Sequence, residues 1–189
     1  MTKIAIIIGS VRPGRNGEAV ARWVLDQARR RDDAEYDLID LKDMALPLLD
    51  EPAPPSFGQY ANEHTKAWAS TVAAYDGFVL VTPEYNHSTS GALKNAIDFL
   101  YTEWNNKAAA FVGYGSVGGA RAIEHLRGIM AEVQVATVRN TVMFSLFTDF
   151  TDFSKFTPAE HHKGEVDAML DQVVAWSNAL KPLRASADA

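Results

Sequence analysis

The sequence predicts an α/β fold, a parallel sheet with helices on both of its faces. Two observations carry that prediction. Short apolar runs recur without the alternation of a half-buried strand, as strands covered on both faces do. Between them lie segments whose apolar residues fall at helical spacing.

Ile4-Ala5-Ile6-Ile7-Ile8 is the first run. With Lys3 before it, the start resembles a secretory leader, but such apolar regions need ~7–15 residues and a small-residue cleavage site. The run instead stops at Gly9-Ser10 and enters a basic loop, so it reads as a buried strand. After the loop from Gly9 to Gly17, Ala19, Val20, Trp23, Val24 and Ala28 share one helical face, and a helix is expected to about Arg31. Tyr36 to Leu41 reads as the second strand. Four of the eight prolines fall within residues 42–62, which excludes a long regular element there. Trp68, Val72 and Tyr75 mark a helix before the strand Phe78 to Val81. Leu93, Ala96, Ile97, Leu100 and Tyr101 then follow amphipathic helical spacing. Ala108 to Val112 is another buried strand, and Ile123, Leu126 and Met130 mark the helix after it. Ala136 to Leu146 supplies a fifth strand, and a last helix carries Val166, Met169, Leu170, Val173 and Leu180.

With 189 residues and no internal repeat, linker or low-complexity tract, residues 1–189 read as a single domain. The absence of cysteine excludes disulfides, thiolate catalysis and cysteine-ligated metal or iron–sulfur sites. A net charge of −6 argues against nucleic acid as a main partner. No apolar run approaches the ~18 residues of a membrane span, so a cytoplasmic protein is expected.

In doubly wound sheets, ligands bind beyond the carboxyl ends of the strands where the strand order reverses. That rule selects the loops after Ile8, Val81 and Val112. The first, Gly9-Ser10-Val11-Arg12-Pro13-Gly14-Arg15-Asn16-Gly17, opens directly into a helix. Unpaired amides at a helix start attract anions, Ser10 and Asn16 can bond phosphate oxygens, and Arg12 and Arg15 add charge. No Gly-Lys-Ser/Thr ending follows, so this is not a nucleoside triphosphate loop.

The second loop runs from Thr82 to Ala92. Pro83 is expected to end the strand. Tyr85 offers a flat face to a planar ring, backbone amides from Glu84 to Asn86 could meet that ring's polar edge, and Ser88 or Ser90 can cap the next helix. His87 reads as a loop histidine without a catalytic role. The third loop, Gly113-Tyr114-Gly115-Ser116-Val117-Gly118-Gly119, matches G-x-G-x-x-G but follows the fourth strand. The acid expected ~20 residues on is missing, so a dinucleotide site is rejected. Ser116 lacks the first glycine of a nucleophile elbow, which leaves a serine hydrolase a poor alternative.

Elsewhere, adjacent His161 and His162 are expected to point apart and to lack metal-binding spacing. The acid–aromatic stretch Asp149 to Phe156 reads as a flap, a subunit contact or an exposed turn. Arg29-Arg30-Arg31 reads as a solvated helix end.

At the three loops the chain resembles the NADPH-dependent FMN reductase family of the flavodoxin-like fold. The resemblance spans roughly residues 3 to 181. It rests on Gly9-Ser10-x-Arg12, on Pro83-Glu84-Tyr85-Asn86-x-Ser88-x-x-Gly91-x-Leu93-Lys94-Asn95-Ala96-x-Asp98, and on Gly115-Ser116-x-Gly118-Gly119. It implies a five-stranded parallel sheet in the order 2-1-3-4-5. It also implies a non-covalent FMN, with phosphate on Gly9, Ser10, Arg12, Arg15, Asn16 and Gly17. The flavin ring would rest against Pro83, Glu84, Tyr85 and Asn86, with Ser88 nearby and Gly115 and Ser116 on the remaining side. NADPH or NADH would reduce the flavin. A small-molecule acceptor such as free flavin, a quinone, an azo compound or a metal oxyanion would reoxidise it. No catalytic side chain and no metal is implied, and a homodimer or homotetramer across the helix near Gly91 is. The competing reading is a flavodoxin-type electron carrier without direct NAD(P)H oxidation, which suits the acidic charge but not the arginines of the first loop.

Overall fold

The computed structural model describes residues 1–185. Strands β1 (Thr2–Ile8), β2 (Ala34–Asp40), β3 (Gly77–Pro83), β4 (Lys107–Gly115) and β5 (Val135–Ser145) form one sheet in the order β2-β1-β3-β4-β5. Every neighbouring pair in it is parallel. Helices α1 (Gly17–Ala28) and α6 (His162–Ala185) cover one face. The single turn α2 (Leu41–Met44) and helices α3 (Glu63–Ala73), α4 (Gly91–Asp98) and α5 (Ala120–Glu132) cover the other.

The unbroken apolar runs follow from this layering. Successive residues of a strand face opposite sides, so Ile4, Ile6 and Ile8 pack toward α1 and α6 while Ala5 and Ile7 pack toward the opposite layer. Each of those isoleucines is at most 1% exposed, a burial that stabilises by about 1.5–3 kcal/mol per side chain. β3 and β4 divide in the same way, with Val79 and Val81 on the first side and Phe78 and Leu80 on the second.

The chain leaves β1 toward β2 and then crosses back over β1 to reach β3. That reversal, the flavodoxin-like strand order, opens a crevice between the carboxyl ends of β1 and β3. The five expected strands and the expected order are all present. Their ends differ. Pro83 lies inside β3, opposite Tyr114. It shares parity with Val81, whose carbonyl accepts from the Gly9 amide. The missing N–H therefore faces the side where β1 has already ended, and the proline breaks no ladder bond. β4 likewise continues through Gly113 and Tyr114 to Gly115, where a loop was expected. Helix α1 stops at Ala28 and α4 at Asp98, both short of the expected Arg31 and Tyr101. Arg31 is not solvated: it pairs with Asp33 at 2.5 Å and Asp171 at 2.6 Å, tying the turn after α1 to α6.

The acid–aromatic stretch is a hairpin of β6 (Phe150–Thr151) and β7 (Lys155–Phe156), turning through Asp152 and Phe153 at φ 52° and 55°. Phe150 and Phe156 pack together at 5.1 Å between ring centroids, and Phe156 meets Trp23 of α1 edge-on at 5.9 Å. The inner aromatics explain the alternation; Phe153 at the tip stays 59% exposed.

Candidate functional site

The carboxyl edge gathers the three loops as the sequence predicts. In the first, Asn16 does not cap α1 with its side chain, because its amide nitrogen donates to the Phe153 carbonyl at 2.8 Å. The first backbone bond of the helix runs from the Val20 amide to the Asn16 carbonyl, which leaves the amides of Gly17, Glu18 and Ala19 open. Gly17 is required by packing: a Cβ there would stand 2.5 Å from the Tyr114 hydroxyl. Gly9 is required too, since a Cβ would sit 2.8 Å from the Val81 carbonyl oxygen.

The two arginines differ. Arg12 is exposed and makes no ion pair among the described residues. Arg15 turns inward, its side chain only 7% exposed, and pairs with Asp40 at the end of β2 and more loosely with Glu18 at 3.5 Å. Its Nη1 is nevertheless buried with no hydrogen-bond partner. A buried, unpaired guanidinium nitrogen beside open helix amides is an unsatisfied donor set, and an anion's oxygens would satisfy it. The residues present therefore fit a phosphate.

Ser10 is fully buried, and its hydroxyl lies 2.7 Å from that of Tyr85. Tyr114 approaches the same point from β4. Burial, with Tyr85 close by, holds the Tyr114 phenol above its ordinary value, against the Ser10 hydrogen bond and the charges of Arg12 and Arg15. Ser90 donates to the Gly9 carbonyl and accepts from the Leu93 amide at 3.1 Å, so one hydroxyl caps α4 and ties the first loop to the second.

The second loop is a tight turn. Tyr85 and Ser88 exchange backbone bonds of 2.9 and 3.1 Å, while Asn86 and His87 sit at φ 47° and 74°. Two consecutive positive φ values are the type I′ pattern, and asparagine and histidine are among the residues that adopt them most readily after glycine. The Tyr85 amide is thus committed to Ser88, and the Asn86 and His87 amides are the ones left unbonded by backbone. Ser88 bonds His125 of α5 at 2.9 Å. Glu84, its side chain 5% exposed, turns to Arg121, whose amide and Nε donate to it at 3.1 and 2.6 Å. Burial raises the Glu84 carboxyl, but the Arg121 hydrogen bonds outweigh it and leave it below the usual carboxylate range. Glu84 caps α5, whose own N-cap residue, Gly119, has no side chain to do so.

The third loop crosses close beneath the second. A Cβ on Gly115 would stand 3.3 Å from that of Glu84, and the Gly115 carbonyl accepts from Gly118 at 3.1 Å and Leu146 at 3.0 Å. Ser116 is exposed in the turn. The edge thus brings together Gly9, Ser10, Arg12, Arg15, Asn16, Gly17, Pro83, Tyr85, Asn86, Gly115 and Ser116. It directs the side chains of Glu84 and Ser88 toward α5 instead.

Sequence reasoning missed Tyr114, Arg121, His125 and Asp40. Tyr114 was legible, because Ala108, Ala110, Val112 and Tyr114 alternate toward α1. The others are cross-element partners without a local signal. His161 and His162 do not point apart: His161 precedes the first residue of α6, so its ring swings over the helix start and lies 4.1 Å from that of His162.

Residues 2–149 match the family described as NADPH-dependent FMN reductase. An NAD(P)H-dependent FMN reductase of a Nectria species is 39% identical over 158 residues, covering 79% of each chain. A 2-hydroxy-1,4-benzoquinone reductase of a Burkholderia species is 29% identical over 182 residues, covering 92% of this chain and 95% of its own. Among solved structures, the flavoenzyme NAD(P)H:(acceptor) oxidoreductase of Paracoccus denitrificans superposes with a TM-score of 0.73 at 22% identity, over 95% of this chain and 98% of its own. No helix of the described residues is long and apolar enough to cross a membrane. The match over residues 2–149, with the 39% identity to the Nectria reductase, places this chain in the NADPH-dependent FMN reductase family.

Proposed function

We propose that the chain transfers a hydride from NADPH or NADH to a non-covalently held FMN and passes the electrons to a small-molecule acceptor. The observation that carries this reading is the unsatisfied donor set of the first loop at the β1/β3 crevice. Gly9, Ser10, Arg12, Arg15, Asn16 and Gly17 hold the phosphate in it. Pro83, Tyr85, Asn86, Gly115 and Ser116 border the ring, and Glu84 and Ser88 hold the second loop in place through Arg121 and His125. Bound FMN supplies the redox chemistry, accepting a hydride and yielding electrons.

The chain's residues bind and orient. The Ser10–Tyr85 hydroxyl bond couples the phosphate end of the site to the ring end. Open amides at Asn86 and His87 suit the charge that builds on a reduced ring's polar edge. Hydride transfer needs no protein acid or base, and no catalytic side chain is assigned. The acceptor is a quinone, free flavin, azo compound or metal oxyanion, with quinones first because the Burkholderia relative is named for one. We read residues 1–189 as one cytoplasmic domain, where nicotinamide nucleotides are supplied, assembled as a homodimer or homotetramer across α4.

The test compares FMN with riboflavin, which lacks the phosphate. Arg12→Ala should weaken FMN binding about tenfold, the worth of one charge-assisted contact, and leave riboflavin binding unchanged. Equal losses for both ligands would place the phosphate elsewhere.

A further inference from the structure

Where the β6–β7 excursion leaves and rejoins the rest of the fold, four side chains converge that the flavin chemistry does not use. The chain enters the excursion at Asp149, which is 3% exposed. One of its oxygens accepts from the Ser145 amide at 2.9 Å and the Thr148 hydroxyl at 3.0 Å. The other lies 2.9 Å from Nε2 of the buried His162, the first residue of α6. On the opposite side of that ring, Nδ1 stands 2.7 Å from a Glu165 carboxylate oxygen. His161 lays its exposed ring over that of His162, and one ligand atom from each of His161, His162 and Glu165 falls within 4.8 Å of the others.

We propose that His161, His162 and Glu165 bind one divalent transition-metal ion at the start of α6. Glu165 follows His162 by three residues, a spacing that puts helical side chains on one face, and His161, just before the helix, lays its ring beside that of His162. Two imidazoles and one carboxylate suit Zn²⁺, Ni²⁺ or Cu²⁺ and not Mg²⁺ or Ca²⁺, which prefer oxygen. Asp149 accepts the Nε2 proton of His162, which fixes the tautomer and leaves the Nδ1 lone pair for the ion. A carboxylate behind the ligating imidazole is the partner that metal-binding histidines use.

Charge also balances. The Asp149 and Glu165 carboxylates together match the charge of one divalent ion, at a helix start whose adjoining cleft Arg139 lines with His161 and Glu165. Binding forms three metal–ligand bonds and releases any proton held on His161 or on Nδ1 of His162. The ion would fasten the excursion to α6, and the excursion reaches the phosphate loop through the Asn16–Phe153 bond.

The test is calorimetric titration of zinc chloride into the untagged, chelator-stripped, FMN-loaded full chain near neutral pH. One zinc should bind per chain. His161→Ala and Glu165→Gln should each weaken it at least tenfold, and Asp149→Asn by 10–100-fold, the usual range for such a supporting carboxylate. His64→Ala, a histidine on α3 bonded to Asp50, should change nothing. His161 is exposed, so its substitution leaves the fold intact should Asp149→Asn unfold the chain. Absence of saturable binding, zinc binding unchanged in His161→Ala, or magnesium binding as tight as zinc would each overturn the site.

Discussion

Gly17 and Tyr114 provide a sharp test of how the phosphate loop is built. An alanine at position 17 would place its Cβ 2.5 Å from the Tyr114 hydroxyl oxygen, 3.2 Å from Cζ and 3.3 Å from Cε1. The ring cannot swing clear, because it is 6% exposed and wedged beneath α1. Overpacking of this kind costs about 1–3 kcal/mol, against a gain of at most about 1 kcal/mol from replacing glycine in a helix. Set against the full helix gain, Gly17→Ala should therefore destabilise by up to about 2 kcal/mol, the difference of those two terms. Tyr114→Phe removes the nearest atom at the cost of one hydroxyl hydrogen bond, about 1 kcal/mol. The remaining contacts need only a few tenths of an ångström of relief, so the double variant should be no less stable than Tyr114→Phe alone. The cycle thus predicts a favourable coupling that cancels the Gly17→Ala loss, up to about 2 kcal/mol, read from urea unfolding of the four proteins. FMN affinity should follow the same order, since a displaced α1 start misaims its amides. Strictly additive losses would show that Tyr114 does not support the loop.

Arg121→Ala should destabilise by about 1–2 kcal/mol near neutral pH, since it strips charge-assisted bonds from a buried carboxylate whose partner is itself half exposed. The depressed Glu84 carboxyl contributes stability that is present above the unfolded carboxylate range and lost as pH falls through its folded value. The gap between wild type and variant in urea midpoint should close on acidification. Lys107 moves stability in the same direction in a higher pH window, for a different reason. Burial pulls its ammonium down to about 7, although Nζ donates to the Val72 carbonyl at 2.8 Å. The unfolded chain then binds more protons above that value, so stability should rise from about pH 7 to about pH 10 and Lys107→Met should flatten the rise.

The sheet was legible because each run buried on both faces excludes polar residues, as Ile4 to Ile8 shows. The three loops were legible because they follow strand ends at the expected reversal of strand order, and the first stood out because it gathers glycine, hydroxyl and arginine in one short segment. Strand ends were not. Pro83 reads as a terminator until one sees that its missing N–H faces a side where β1 has stopped. Gly113 and Gly115 read as loop because glycine is permissive, whereas here they let β4 pass close beside the third loop and the Glu84 side chain. Pairings across elements, Arg15 with Asp40 and Glu84 with Arg121, depend on which helix starts lie side by side, and nothing in the local sequence reports that. Arg15 illustrates the gap most clearly. Its type suits the proposed phosphate loop, but half of its guanidinium serves to brace the end of β2 through Asp40.

The central claim is that this edge presents FMN to a nicotinamide nucleotide. Mixing the FMN-loaded protein anaerobically with NADPH or NADH, while following the flavin's visible absorbance, tests it most directly. One equivalent of nucleotide should bleach the flavin stoichiometrically, and a quinone added afterwards should restore the colour. A flavin that stays oxidised with both nucleotides, yet is reduced by a partner reductase, would contradict the account and leave an electron carrier in its place.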